Sequence, residues 1–284
     1  MAAIGYAALI ERNWFTLRRY QVPVLPPAAE PVRILHISDA HLTPRRGRLI
    51  SWIRALDDLD PHLVVNTGDC IAHPQAVSSF LDALGPLLDR PGVFVFGSND
   101  RYSPKPKNPT RYLLRTSAGD HDRHTPDLPW EKLGEGMTQA GWIDLNNQRA
   151  RLTAGGLDVA LAGVDDSHIN RDRYDRVAGP ADPAADLRIG VMHSPEPRVL
   201  DRFISDGYEL LFAGHTHGGQ LCLPVVGTLV TNCGIDRDRA RGLHRHPPDG
   251  QAWLHVSAGL GTSPWAPARF ACRPEASLLT LVPR

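Results

Sequence analysis

The chain has 284 residues, of which 42% are hydrophobic and 22% charged, and its 31 basic and 31 acidic side chains cancel. This composition describes a globular protein with a sizeable core. It excludes a disordered chain, and it excludes a polycation that holds nucleic acid through overall charge. Four cysteines (Cys70, Cys222, Cys233, Cys272) without a C-x-x-C pair require no disulfide framework, so a reducing, cytoplasmic setting is the simpler reading.

In chain order, the opening MAAIGYAALI is apolar but too short to span a bilayer, and it lacks the basic start of a signal peptide. Arg18 and Arg19 resemble a twin-arginine pair, yet the Pro-broken YQVPVLPPAAEP behind them cannot serve as an export core. Residues 1–31 therefore read as a strand segment packing on a single domain over 32–284. VRILHIS predicts a strand, and RLISWIRALDDL sets Leu49, Ile53 and Leu56 on one helical face. HLVVN predicts a second strand, Val77, Phe80, Leu81, Leu84 and Leu88 a second helical stripe, and GVFVFG a third strand. Strand–helix alternation of this length predicts βαβ units with helices outside a sheet.

Residues 101–136 break the rhythm with Pro104, Pro106, Pro109, Pro126 and Pro129, and predict a loop excursion over one end of the sheet. Its Arg101–Arg115 portion carries five basic residues and no acidic one, which suits an anionic substrate or membrane surface as well as a merely solvated loop. LDVALAGV, LRIGVMHS, YELLFAGH, GTLVTN, AWLHVSAG and SLLTLVP then predict the strands of a second sheet. A two-layer β-sandwich flanked by helices fits the count.

Polar residues gather where the apolar runs stop. HISDAHL places Asp39 and His41 two apart, and an extended backbone projects both to one side. NTGDC supplies Asp69, FGSND supplies Ser98, Asn99 and Asp100, VMHSPEP supplies His193, and AGHTHGG supplies His215 and His217. Each motif alone is weak, because a lone strand-end histidine is more often a structural residue than a ligand. As a set they fall where open α/β sheets bind ligands, at the carboxyl ends of strands. Imidazoles with carboxylates and an amide oxygen suit Mn²⁺, Zn²⁺ or Fe²⁺, and six or seven ligands suit two ions rather than one. Asp69, alone in its box, is the natural bridge. Two such ions about 3.5–4 Å apart can hold a hydroxide between them for in-line attack on a phosphoryl group.

The order D-x-H, GD, an Asn box, H and G-H-x-H resembles the calcineurin-like metallophosphoesterases, and GVDDSH, HSPEP, GHTHGGQ and GLGTSPWAPARFACRPE resemble a bacterial branch of predicted phosphodiesterases. The resemblance implies a four-layer αββα sandwich of two mixed sheets, with two metal ions at the sheet edges. It implies that Asp39, His41 and His217 hold one ion, that Asp69 bridges, and that the Asn-box residue, His193 and His215 hold the other.

The third box departs from the family pattern G-N-H-D/E, since this chain has Gly97-Ser98-Asn99-Asp100. Read without a gap, Ser98 takes the ligand position and Asn99 replaces the catalytic histidine. Read with a one-residue slip, Asn99 remains the ligand and Asp100 falls at the histidine position. Asn99 is the favoured ligand, because an amide oxygen is the better neutral donor. Asn donates a hydrogen bond but cannot protonate an alkoxide, so the substrate either has a good leaving group or receives its proton from His168, His121 or His124. Arg101 and His168 are candidate substrate-binding residues. Asp165 and Asp166 read as orienters of a ligand histidine or as turn residues, and His36 as a satisfied core histidine.

The function expected is a dinuclear phosphohydrolase, more a phosphodiesterase than a monoesterase, acting on a small or lipid-linked phosphate ester and not on nucleic acid. Peripheral membrane contact through the basic stretch and oligomeric state are left open. The competing readings are a non-catalytic metal-binding interaction module with a degraded site, and a phosphomonoesterase or protein phosphatase.

Overall fold

A computed structural model describes residues 2–106 and 125–284. The chain opens with α1 (Ala2–Gly5), continues in helical turns to Asn13, and enters β1 (Thr16–Leu25) and β2 (Val32–Ile37). Then come α2 (Gly47–Arg54), β3 (Leu63–Asn66), α3 (Val77–Leu84), β4 (Gly92–Phe94) and the short α4 (Ser98–Arg101). Beyond residue 124 follow α5 (Trp130–Gln139), β5 (Ile143–Asp144), β6 (Gln148–Ala154), β7 (Leu157–Gly163), β8 (Leu187–Val191) and α6 (Pro197–Ser205). The chain closes with β9 (Leu210–Ala213), a small β10–β11 hairpin (Cys222–Leu223 and Gly227–Thr228), β12 (Gly242–His246), β13 (Ala252–Val256) and β14 (Glu275–Pro283).

These strands make two six-stranded mixed sheets, in the orders β1-β14-β2-β3-β4-β5 and β12-β13-β9-β8-β7-β6. β2, β3 and β4 run parallel in the first, and β7, β8 and β9 in the second, so both sheets present strand carboxyl ends at matching rims. The inner faces meet through Val65, Val95, Val159, Ile189, Phe212 and Leu279, all essentially free of solvent. Outside the first sheet, Leu49 and Ile53 of α2, Phe80 and Leu84 of α3, and Leu133 and Met137 of α5 form a second core. Outside the other sheet, Val199, Leu200 and Phe203 of α6 form a third. The layers run helix, sheet, sheet, helix, the expected αββα class.

Several expected elements differ. The excursion over 101–136 does not stay irregular, because α5 occupies its end with Leu133 and Met137 buried one turn apart. SLLTLVP joins the first sheet, where β14 lies between β1 (parallel) and β2 (antiparallel). Of GTLVTN only Gly227–Thr228 pairs, and with β10 outside both sheets. The opening segment is helical before it becomes a strand. Among the described residues all four cysteines are free, and no helix is long and apolar enough to cross a membrane.

Because Leu279 fills the space between the sheets, Leu279→Ala should lower unfolding stability by about 2–5 kcal/mol through lost contacts and a cavity. The exposed Leu223→Ala should stay within about 0.5 kcal/mol. Urea midpoints of the two variants give the comparison, and equal midpoints would contradict the inter-sheet packing.

Candidate metal centre

At the shared rim the chain turns through left-handed backbone, with φ of 51° at Asp39, 41° at His41, 53° at Asp69, 69° at His215 and 49° at His217. Such conformations at non-glycine residues each cost about 1–3 kcal/mol and persist only where the surroundings over-determine them. Here neighbouring loops are laced by backbone bonds. The amides of Asp39 and His41 donate to the carbonyls of Gly68 (2.8 Å) and Asp69 (2.9 Å), and those of Leu260 and Gly261 donate to Ser38 (2.9 Å) and Asp39 (2.7 Å). The extended geometry expected for Asp39 and His41 is therefore corrected: β2 ends at Ile37, and a left-handed turn, not strand alternation, brings the two together.

The side chains converge. Asp69 Oδ2 lies 3.5 Å from His41 Nε2 and 3.6 Å from His193 Nε2, and Asp39 Oδ1 lies 3.5 Å from His217 Nε2. Asp39, His41 and His217 form one group able to hold an ion, and Asp39, Asp69 and His193 a second. The imidazoles meet in pairs, His41 Nε2 to His217 Nε2 at 3.0 Å and His193 Nε2 to His215 Nδ1 at 3.3 Å. His193 Nδ1 faces the Thr67 carbonyl at 2.7 Å and His215 Nε2 faces the Asn232 carbonyl at 3.3 Å. Those carbonyls accept a proton from each ring, which leaves two lone pairs aimed at each other. Only a proton or a cation between them makes that arrangement favourable. The donor set fits divalent metal.

Electrostatics point the same way. Burial pushes the Asp39 carboxyl up, with Asp69 adding to it. Burial also acts to raise Asp69, but His193, His41 and two bonds from Asn99 hold it below the usual range. His193 reaches about 10, because Asp69, Asp166 and Asp39 outweigh the burial that acts to lower it. His41 and His217 are lowered, mainly by burial. The rim thus demands positive charge that its own imidazoles supply incompletely.

Asp39 is also held from behind. Ser38 Oγ donates to its Oδ2 at 2.5 Å, Thr67 Oγ1 donates to Ser38 Oγ at 2.6 Å, and His36 Nε2 stands 2.9 Å from Thr67 Oγ1. His36 Nδ1 continues to His255 Nδ1 at 2.7 Å. An ionised Asp39 fixes the direction of the whole chain, so His36 carries its proton on Nε2 and accepts from His255. His36 is buried and satisfied, as its place in an alternating strand suggests. A Cβ at Gly214 would stand 2.0 Å from Ser38 Oγ and 2.5 Å from Asp39 Oδ2, so the G of the G-H-x-H box is there for space.

The altered third box divides its labour. Asn99 reaches the centre, donating its backbone N–H to Asp69 Oδ1 and its Nδ2 to Oδ2, both at 2.7 Å. It meets Asp69 as a donor, so ligation through its oxygen requires the amide to rotate. Asp100 turns inward and accepts from the amides of Asp69 (2.8 Å), Cys70 (2.7 Å) and Gly97 (2.9 Å), clamping the Asp69 loop. Burial, with Asp69 beside it, raises its carboxyl to about 6.

His168 lies at the rim with its ring centroid 4.4 Å from that of His215. Arg101 does not face a substrate: it is buried, pairs through both terminal nitrogens with Asp165 (2.8 and 3.1 Å), and lies over the rings of Trp130 and Phe96. Asp165 therefore serves Arg101 and Arg171 rather than a histidine. Asp166 caps the turn carrying His168, accepting its amide at 2.9 Å, and burial raises its carboxyl to about 7. His121, His124 and most of the basic stretch lie outside the described residues.

Two supports lie inside quoted motifs but were given no role there, Thr67 of NTGDC and Arg269 of GLGTSPWAPARFACRPE. Arg269 Nη1 donates to the His217 carbonyl at 3.0 Å, and its Nη2 lies 3.2 Å from His217 Nδ1. The available signal was an arginine set in the otherwise uncharged run SPWAPARFAC.

Carboxylates ringed by imidazoles at the rim of two facing sheets define a hydrolase acting on phosphoester bonds. The Calcineurin-like phosphoesterase model matches residues 32–219, and the chain belongs to that family. It is 27% identical to Phosphodiesterase YaeI of Escherichia coli over 99% of this chain and 93% of that protein. It is 26% identical to the metallophosphoesterase YkuE of Bacillus subtilis, over 98% of this chain and 89% of that one. It is 24% identical to the UDP-2,3-diacylglucosamine pyrophosphatase LpxG of Chlamydia trachomatis, over 87% and 83%.

Thr67→Val keeps volume but leaves His36 Nε2 and Ser38 without their shared partner. It should weaken Mn²⁺ binding about 10–100-fold, the usual effect of losing a group that orients a ligand. Calorimetric titration checks it, and unchanged affinity would detach the hydroxyl chain from the centre.

Proposed function

We propose that the protein is a dinuclear metal-dependent phosphodiesterase, acting on a phosphodiester or a pyrophosphate link. The observation that carries the reading is Asp69 Oδ2 standing nearly equidistant from His41 Nε2 and His193 Nε2. One imidazole pair lies on each side of it. Asp39, His41 and His217 would hold one ion, His193, His215 and Asn99 the other, with Asp69 shared. Mn, Zn or Fe suit these donors. Two such ions supply a clamp for phosphoryl oxygens and a nucleophile active at neutral pH.

The chain's own residues set the rest. Asn99, already a donor to Asp69, can turn its Nδ2 to a phosphoryl oxygen and stabilise charge developing there. It cannot give the leaving alkoxide a proton. His168 is a group fitted for that, held by the Asp166 cap beside His215. Esters with good leaving groups need less of this help, which favours aryl and pyrophosphate-linked substrates. Similarity to the phosphodiesterase YaeI and the pyrophosphatase LpxG supports a phosphodiester or pyrophosphate link as the bond cleaved.

With Mn²⁺ present, the protein should hydrolyse bis-p-nitrophenyl phosphate faster than p-nitrophenyl phosphate, and chelation should abolish both activities. Asp69→Asn should remove turnover and bound metal together. His168→Ala should slow an alkyl diester about 10²–10⁴-fold, the range for general acid help, and leave the aryl diester near the parent rate. A metal-loaded but inert protein would replace this reading with a binding module, and a preference for the monoester would make it a phosphomonoesterase.

A further inference from the structure

The metal centre accounts for none of the large apolar side chains left in solvent. Leu9 (74%) and Ile10 (55%) on the N-terminal helical turns, Val225 and Val226 (67%) at the tip of the β10–β11 hairpin, and Trp265 (59%) are all exposed. They lie on segments that hold one another. The Ala7 carbonyl accepts the Arg269 amide at 3.0 Å, and Tyr6 packs edge-on against Phe270. Gln220, leading into the hairpin, donates to the carbonyls of Ala266 and Ala268. The helical turns, the hairpin and the 264–270 loop therefore make one face. Several large apolar side chains exposed on linked segments mark an interaction site.

Its charge is one-sided. Residues 2–14, 43–50, 215–230 and 257–274 contain six arginines and a single acidic residue, Glu11, in a molecule whose total charge is zero. Glu11 is buried and accepts the Cys272 amide at 2.7 Å, so among the described residues of these four segments no carboxylate is exposed. Arg12 anchors to the Pro267 carbonyl, with Arg46 close enough to act on it electrostatically, and Arg273 lies 3.3 Å over the Trp14 ring. Arg45 and Arg48 stand exposed beside them.

We propose that this face docks onto an anionic lipid bilayer. The Pro224–Val226 tip, Leu9 and Ile10 enter the interfacial region, and Trp265, its N–H donated to the Pro104 carbonyl at 2.7 Å, presents its exposed ring at headgroup depth. The arginines meet anionic headgroups, each adding roughly five-fold to binding near such a surface. Arg269 ties the face to the metal centre, since its amide bonds to Ala7 while its guanidinium contacts His217. Docking places the rim at the membrane surface. Resting on the phosphodiesterase reading, it names the substrate class as phosphate esters carried by bilayer lipids.

The test is flotation of the full chain with vesicles of phosphatidylcholine alone or with one-third phosphatidylglycerol, followed by Trp emission. The expected result is binding to the anionic vesicles with blue-shifted emission, weakened by salt. R45E/R48E should reduce binding at least about 25-fold, given that five-fold step for each charge. V225E/V226E and L9E/I10E should abolish it, with circular dichroism and soluble-diester hydrolysis at parent levels. No vesicle binding by the parent, equal binding to neutral vesicles, or binding indifferent to these variants would overturn the proposal. So would a dimer in light scattering that L9E/I10E dissolves while vesicle binding is absent. Vesicle binding without diester hydrolysis would sink the phosphodiesterase reading and leave the docking face standing.

Discussion

Two carboxylates, Asp39 and Asp69, are sealed from solvent with histidines as their ionic partners, and this constraint organises the rim. Burying a charge is costly unless it is matched. The matching here comes from four imidazoles drawn in from two sheets. Carbonyls stand behind His193 and His215, the Arg269 guanidinium stands behind His217, and the rings meet in two close pairs. The left-handed turns and the Ser38–Thr67–His36–His255 chain all follow from holding those groups in place. A divalent cation suits this gathering of carboxylates and imidazoles.

The substitution at the third box is better understood against that frame. Asp100 gives three backbone amides a common acceptor and so belongs to the scaffold. Asn99 instead faces the Asp69 carboxylate, donating to both of its oxygens. A histidine at that place would add a further titratable ring to an already crowded set. An amide adds a donor without adding charge.

Much of this was legible in the sequence because strands, turns and ligand types are local signals. The five boxes at the ends of apolar runs pointed to one rim, and the runs VRILHIS, HLVVN, LRIGVMHS and YELLFAGH became β2, β3, β8 and β9. What remained hidden was conformational or long-range. Nothing in D-A-H announces two left-handed residues, so side-chain convergence was assigned to strand alternation. Gly134 and Gly136 masked α5; a Cβ at Gly136 would stand 2.4 Å from Leu81 Cδ1, so a residue that weakens a helix is what lets this one pack. Arg101 looked available for an anion because its partner, Asp165, is 64 residues away. SLLTLVP revealed its strand but not its neighbours, since pairing depends on the whole topology.

That last strand has a consequence for biogenesis. Ser277 pairs with His36, 277 − 36 = 241 residues earlier, and β14 separates β1 from the remainder of its sheet. At ordinary translation speeds of about 5–20 residues per second, roughly 10–50 s pass between the emergence of the two partners. Throughout that interval the nascent first sheet lacks an inner member and leaves a hydrophobic flank open. Closure of the first sheet thus waits on the strand that the ribosome delivers after all its other members.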